Sequence, residues 1–214
     1  MLYSNMHLCI QARMNSSRLP GKVIMDIEGL PLIVFLYNRL KNNFENINIV
    51  VLTSINSTDD KLVEILSKYN IPYFRGNLEN VLLRFVEYEK TLDREIEFIG
   101  RICADSPYLE IEILKKVIEF KNKDYDIITT RYYDKSNVLK STAPKGNNFD
   151  LINRKSLSKV FNLDEVLSED DKEHIIFPFM RKSVLNIDVS DIITTNIDMA
   201  IDTIEDLERI RNKV

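Results

Sequence analysis

The chain has 214 residues, enough for one sizeable α/β domain with a complete core. Its 44% hydrophobic and 29% charged residues are those of a globular protein, and a net charge of −4 supplies no basic field to recruit nucleic acid. The longest apolar stretch, Leu30 to Tyr37, is far too short to span a bilayer, so no membrane partner is expected.

The first predicted element is a buried strand, His7 to Ala12. It runs into Gln11 to Lys22, QARMNSSRLPGK, around which the remainder is arranged. Arg13, Arg18 and Lys22, with Ser16, Ser17 and a Pro20-Gly21 turn, meet no acidic residue before Asp26. Fixed cations and open backbone N–H groups just after a strand suit an oligophosphate. A solvated basic loop is the other reading of the same residues. The P-loop spacing is absent, and a single glycine excludes the dinucleotide fingerprint.

Val23 to Ile27 and a Glu28-Gly29 turn lead to Pro31, which suits the first turn of a helix to about Asn42. Ile47 to Thr53 is a second buried strand. Ser57-Thr58-Asp59-Asp60 opens a helix, with Ser57 and Asp60 at capping-box spacing and Leu62, Ile65, Leu66 and Tyr69 as its apolar face. Pro72 to Phe74 is a short strand ended by Arg75-Gly76. Val81, Leu82, Phe85 and Val86 pattern a third helix, and Ile96 to Cys103 a fourth strand. Strand and helix therefore alternate four times. That predicts an α/β fold with a mainly parallel sheet wrapped on both faces, binding ligands at the carboxyl ends of its strands.

The second half is less regular. A helix from about Leu109 to Lys121 precedes a strand, Tyr125 to Thr130. Arg131 to Asn148 reads as a flexible loop or lid. Lys155 to Phe161 and Glu169 to Lys182 are predicted helices, with Pro178 kinking the second. Val184 to Val189 and Ile192 to Ile197 are expected to pair as strands, and Asp202-Thr203 to start a last helix ending near Asn212. Cys9 and Cys103 sit in apolar runs with no Cys/His cluster, which argues against a zinc site or disulfide framework. Free thiols and no readable signal peptide point to the cytoplasm.

Two carboxylates stand out. Asp105, in Arg101-Ile-Cys-Ala-Asp-Ser-Pro107, lies at a strand's carboxyl end, where a metal-bound phosphate would sit; Asp105 or Ser106 could equally cap the next helix. Asp202, in Ile201-Asp-Thr-Ile-Glu-Asp-Leu207, is open to the same two roles, since Asp202 or Thr203 with an acid three residues on makes a capping box.

The run Ala12, Arg13, Ser16, Arg18, Leu19, Pro20, Gly21, Lys22 resembles the Ala-Arg-x-x-Ser-x-Arg-Leu-Pro-Gly-Lys signature of nucleotidyltransferases that make CMP-activated sugars. It is most similar to the spore-coat polysaccharide (SpsF-like) cytidylyltransferases, relatives of CMP-KDO synthetase. Residues 101–107 resemble that family's Arg-x-Thr-Ala-Asp-Cys-Pro motif, and 201–207 its Asp-Thr-Pro-Glu-Asp-Leu motif with Ile204 in place of Pro. Phe74-Arg75-Gly76 resembles its Phe-Arg-Gly. Asn80 to Arg84 is similar to Asp-Val-Leu-x-Arg, with Asn80 for Asp. Pro144 to Asp150 is similar to Pro-Lys-Gly-Leu-Asp-Val-Glu, with Asn148 for Asp, and Lys172-Glu173-His174 to Arg-Glu-His.

The resemblance implies a Rossmann-like nucleotidyltransferase fold of the GT-A-like kind. It also implies CTP as nucleotide partner, Mg²⁺ as cofactor, a small acidic or phosphorylated acceptor, and a homodimer. Residues 1–130 become the nucleotide-binding core, 131–182 the acceptor and dimer region, and 183–214 a return to the core. The implied catalytic residues are Arg13, Lys22, Asp105 and Asp202, with Asp105 and Asp202 as metal ligands. Nucleotide contacts fall to Gln11, Ala12, Arg13, Ser16, Ser17, Arg18, Lys22, Arg75 and Arg101. Acceptor contacts fall to Lys145, Asn148, Asp150 and His174. Arg75 and Arg84 could equally be solvated surface cations, and His174 a helix histidine held by neighbouring polar groups. Two alternatives remain: a nucleotide-sugar glycosyltransferase using Asp124-Tyr-Asp126, and a nucleotide-binding homologue without turnover, left open by Asn80, Asn147 and Asn148.

Overall fold

A computed structural model describes residues 3–162, 167–193 and 197–212. In chain order its strands are β1 (Met6–Gln11), β2 (Asp26–Ile27), β3 (Leu30–Pro31), β4 (Asn48–Ser54), β5 (Tyr73–Gly76) and β6 (Phe98–Cys103). Then come β7 (Ile127–Thr129), β8 (Arg131–Tyr133), β9 (Leu139–Ser141), β10 (Asp150–Asn153) and β11 (Val184–Asn186). The helices are α1 (Leu32–Asn43), α2 (Asp60–Lys68), α3 (Val81–Glu89), α4 (Ile111–Glu119), α5 (Arg154–Asn162), α6 (Glu169–Glu173), α7 (Ile176–Met180) and α8 (Ile204–Arg211).

A seven-stranded sheet in the order β11-β7-β10-β6-β1-β4-β5 forms the centre. Every pairing in it is parallel except those of β10 with β6 and β7. Alternating residues of the central strands feed two cores. Leu8, Ile10, Ile49 and Val51 pack with residues of α1, α2 and α4, while Cys9, Val50 and Leu52 pack with α3, α5 and α7. The sheet is therefore covered on both faces, as the strand–helix alternation predicts. A smaller cluster, Ile27, Leu32, Ile201, Leu207 and Ile210, seats α8 against the start of α1.

Four local expectations are corrected. Ser57 and Asp60 make no capping box: the chain enters α2 through a 3-10 turn at Ser57–Asp59, capped by Asn56, whose side chain accepts from Thr58 N. The helix predicted over 169–182 is two, α6 and α7, parted at His174 and Ile175. Pro178 is not the break. It lies in the first turn of α7, where its missing N–H costs no helical bond. The stretch Arg131 to Asn148 holds an antiparallel β8–β9 hairpin rather than a plain loop, and Asp134 Oδ1 organises its turn by accepting from Ser136 N and Val138 N. Finally, β11 pairs in parallel with β7, not with 192–197; Ile192 lies in a turn, and part of that range falls outside the described residues.

The departure at Asn80 is absorbed by the helix it starts. Its Oδ1 accepts from Leu83 N at 2.7 Å, and its own N–H is held by Asn77 Oδ1 at 2.8 Å. A carboxylate would cap equally well. Asn80→Asp should leave the melting temperature nearly unchanged, whereas Asn80→Ala should cost about 1 kcal/mol in denaturant unfolding; equal losses from both would show the cap to be irrelevant.

Candidate active site

The basic loop leaves β1 at the carboxyl edge of the sheet and is shaped mainly by backbone bonds. Ala12 N donates to Leu52 O at 3.1 Å, and Met14 O accepts from Ser16 N at 3.0 Å and Gly21 N at 2.8 Å. Gly21 has a φ of +74°, left-handed backbone that glycine tolerates best, and the 3-10 turn Lys22–Ile24 follows. Asp59 fixes the loop from below. It is fully buried, its Oδ2 accepts from Thr53 Oγ1, Ser54 N and Ser54 Oγ, and its Oδ1 accepts from Met14 N at 2.7 Å. The sequence marks Asp59 only as part of a helix start; its role emerges from the crossing of β4 beneath the loop.

Lys22 is the hub. Its Nζ donates to Asp105 Oδ2 at 2.9 Å, to Asp202 Oδ1 at 3.1 Å and to the Ile201 carbonyl at 2.7 Å. Ile201 N donates to Asp105 O at 2.8 Å, which joins the two carboxylate-bearing segments directly. Arg18 adds a 2.8 Å contact to Asp202 Oδ1, and Lys145 grips Asp202 Oδ2. Burial pushes the Asp202 carboxyl upward, but the Lys145 and Lys22 ammoniums outweigh it and hold the group below the usual carboxylate range. Both proposed roles of the 202–206 segment coexist: Thr203 and Asp206 form a full capping box, and Asp202 faces the cations.

Gly146 docks the Lys145 loop on that segment. Its φ is +90°, and a Cβ would come within 2.4 Å of Ala200 N. The Asp105 and Asp202 carboxylates give the oxygen-only, ligand-poor donor set that Mg²⁺ accepts. Among the described residues no group of three His, Cys, Asp or Glu offers a fuller cage.

Other expected residues are placed differently. Ser17 is exposed on the loop and Ser16 half-buried. Arg75 turns away from Lys22: Nε donates to Ser54 O at 2.8 Å, and Nη2 reaches Asn56 O at 3.0 Å and Asp60 Oδ1 at 2.7 Å. Arg84 is wholly buried rather than solvated, bonding the carbonyls of Asn77 and Leu78, and burial brings its pKa down to about 10.

Arg101 and Asp150 are sealed beneath the sheet edge. Arg101 Nη1 meets Asp150 Oδ2 at 2.9 Å and its Nε meets Gln11 Oε1 at 3.0 Å, while Thr129 Oγ1 donates to Asp150 Oδ1 at 2.6 Å. With Asp150 at 0% exposure, direct acceptor contact by its carboxylate is corrected to a supporting role: it orients Arg101, which in turn holds Gln11. Asn148 Oδ1 accepts from Thr130 Oγ1 at 3.0 Å and from Ser141 Oγ. His174 is exposed at the end of α6, beside Phe177. Asp126 is held by Ser156 and by Ser183 N at the start of β7, the edge opposite the Lys22 cluster, so Asp124-Tyr-Asp126 supplies no metal site there.

A doubly covered, mainly parallel sheet with one antiparallel strand and a basic loop after β1 is the nucleotidyltransferase fold. The family model for cytidylyltransferases matches residues 8–210, and the chain belongs to that family. The spore coat polysaccharide biosynthesis protein SpsF of Bacillus subtilis is 30% identical over 173 residues, 78% of this chain and 66% of that protein. A cytidylyltransferase structure from Leptospira borgpetersenii superposes with a TM-score of 0.80 at 25% identity, covering 98% of this chain and 86% of that one. The structure of CMP:2-keto-3-deoxy-manno-octonic acid synthetase complexed with CTP gives 0.74 at 17% identity, covering 98% of each chain, a likeness of fold. The chain spans about a quarter to two thirds of the length of the first curated relatives it matches.

The buried Arg101–Asp150 pair has a pH signature. Burial raises the Asp150 carboxyl, but Arg131, Arg101 and the Thr129 hydroxyl bring it below its ordinary value. Its stabilisation is therefore present above the unfolded pKa of about 3.9 and is lost as pH falls through the lower folded value. Asp150→Asn should destabilise the protein by about 3–5 kcal/mol near neutrality. The gap in melting temperature from wild type should close below about pH 4; a gap constant with pH would show that the carboxylate charge is not what holds Arg101.

Proposed function

We propose that the protein is a CTP-dependent cytidylyltransferase acting in surface-polysaccharide synthesis, with an acidic sugar or another carboxylated or phosphorylated metabolite as acceptor. The observation that carries this is the meeting of Lys22 with Asp105 and Asp202, and of Arg18 with Asp202, on the loop that also bears Arg13, in a chain of the cytidylyltransferase family. The related synthetase structure holds CTP, which supports the choice of nucleotide.

In the reaction, an acceptor oxygen attacks the α-phosphorus of CTP, the bond to the β-phosphate oxygen breaks, and pyrophosphate leaves. Positioning and charge neutralisation supply the rate, and no covalent enzyme intermediate is needed. Arg13, Arg18 and Lys22 offset the triphosphate charge and the charge growing on the leaving group. Asp105 and Asp202 would hold Mg²⁺, which supplies Lewis-acid neutralisation of phosphate charge. Lys145 and His174 offer cationic or hydrogen-bonding contacts to an acidic acceptor. The exposed Tyr132, Tyr133 and Val138 of the β8–β9 hairpin support a homodimer through this region.

The test is pyrophosphate release with each NTP, Mg²⁺ and a panel of acidic sugars. CTP should be preferred, and Lys22→Ala, Asp105→Asn and Asp202→Asn should each lower kcat by about 100- to 1000-fold. Preference for ATP or GTP, or losses under tenfold, would refute the assignment.

A further inference from the structure

Arg13, the first cation of the basic loop, is already occupied by an anion of the protein. Its Nη2 donates to Glu173 Oε1 at 2.6 Å, a contact across 160 positions of sequence. Glu173 is the last residue of α6. That helix is held at its start by the Ser168–Asp171 capping box and at its flank by the 3.0 Å pair of Asp171 with Arg181. It also packs against α3. The Arg13 and Glu173 side chains keep 33% and 48% of their exposure, so another anion can reach the guanidinium.

A second ion pair has the reversed sense: Lys145, from the loop after β9, on Asp202. One offers a carboxylate to a cation, the other an ammonium to a carboxylate.

We propose that Glu173 is an internal stand-in for phosphate at Arg13, displaced when a polyphosphate binds, and that its displacement releases the end of α6. This rests on the proposed function, because it makes nucleotide binding precede completion of the acceptor site. A guanidinium exchanges a single carboxylate contact for a phosphate group with several acceptor oxygens, which favours the incoming ligand. An exposed ion pair is a small obstacle, and its removal is correspondingly modest in effect.

The experiment is calorimetric titration of the full chain with pyrophosphate and with CTP, without acceptor, at low ionic strength. Glu173→Gln should bind both ligands about two- to fivefold more tightly than wild type. The gain should fade at high salt. It should also vanish in an Arg13→Gln background, where no cation is left for Glu173 to occupy. In wild type, amide exchange over residues 169–173 should quicken when CTP binds. Equal affinities for Glu173→Gln and wild type would overturn the proposal. So would a gain that survives in Arg13→Gln, which would mean general repulsion instead of displacement, and so would slower exchange on binding. Pyrophosphate affinity tests Glu173 alone, whereas failure of wild type to favour CTP over other nucleotides would count against the proposed function instead.

Discussion

The Lys22 ammonium is the constraint on which the site depends. It closes contacts to Asp105 and Asp202, 83 and 180 positions along the chain, while only 8% exposed itself. A buried ion pair of this kind contributes little net stability, because desolvation offsets most of the attraction. What it does is positional. The carboxylates come from the end of β6 and the entry to α8, and the backbone bond from Ile201 to Asp105 holds those entries side by side. Without the ammonium, two anions would face each other in a half-closed site and repel.

The surrounding charges obey the same logic. Arg13 sits on Glu173, Arg18 and Lys145 on Asp202, and Arg101 on Asp150. On the proposed function, binding a polyanion here would be an exchange of partners, not the filling of a bare positive patch. That reconciles a strongly basic loop with a chain whose net charge is −4. It also separates two kinds of pair. Those at Arg13, Arg18 and Lys145 are open enough to exchange. The Arg101–Asp150 pair lies under the sheet and only braces what is above it.

Much of this was legible in the sequence, for reasons that can be named. Strand–helix alternation through Cys103 depends on local periodicity, so the parallel half of the sheet and its two-sided cover could be read directly. The basic loop was legible because its chemistry is packed into twelve consecutive residues. The rest depended on contacts across the fold. β10 has only Leu151 and Ile152 as an apolar core and is a strand because β6 and β7 leave a gap for it. Asp59 and Arg84 look like ordinary surface charges until the loops they brace close over them. Arg101 and Asp150 look like site residues because they adjoin the site in sequence, and only the sheet register turns them inward.

The same distinction bears on the places where the chain departs from the family pattern. Two of the substituted side chains, Asn147 and Asn148, have a hydrogen-bonding task in the fold. Asn148 presents a carbonyl oxygen to the Thr130 and Ser141 hydroxyls, which a carboxylate oxygen would do no differently. Asn147 uses its oxygen to accept from Glu110 N one residue before α4. Ile204 occupies the first position of α8, where proline would add rigidity but no hydrogen bond is at stake, and the Thr203–Asp206 box fixes the turn regardless. None of these changes removes a charge from the Lys22 cluster. The departures therefore fall on scaffold positions, while Lys22, Arg18, Asp105 and Asp202 stand intact.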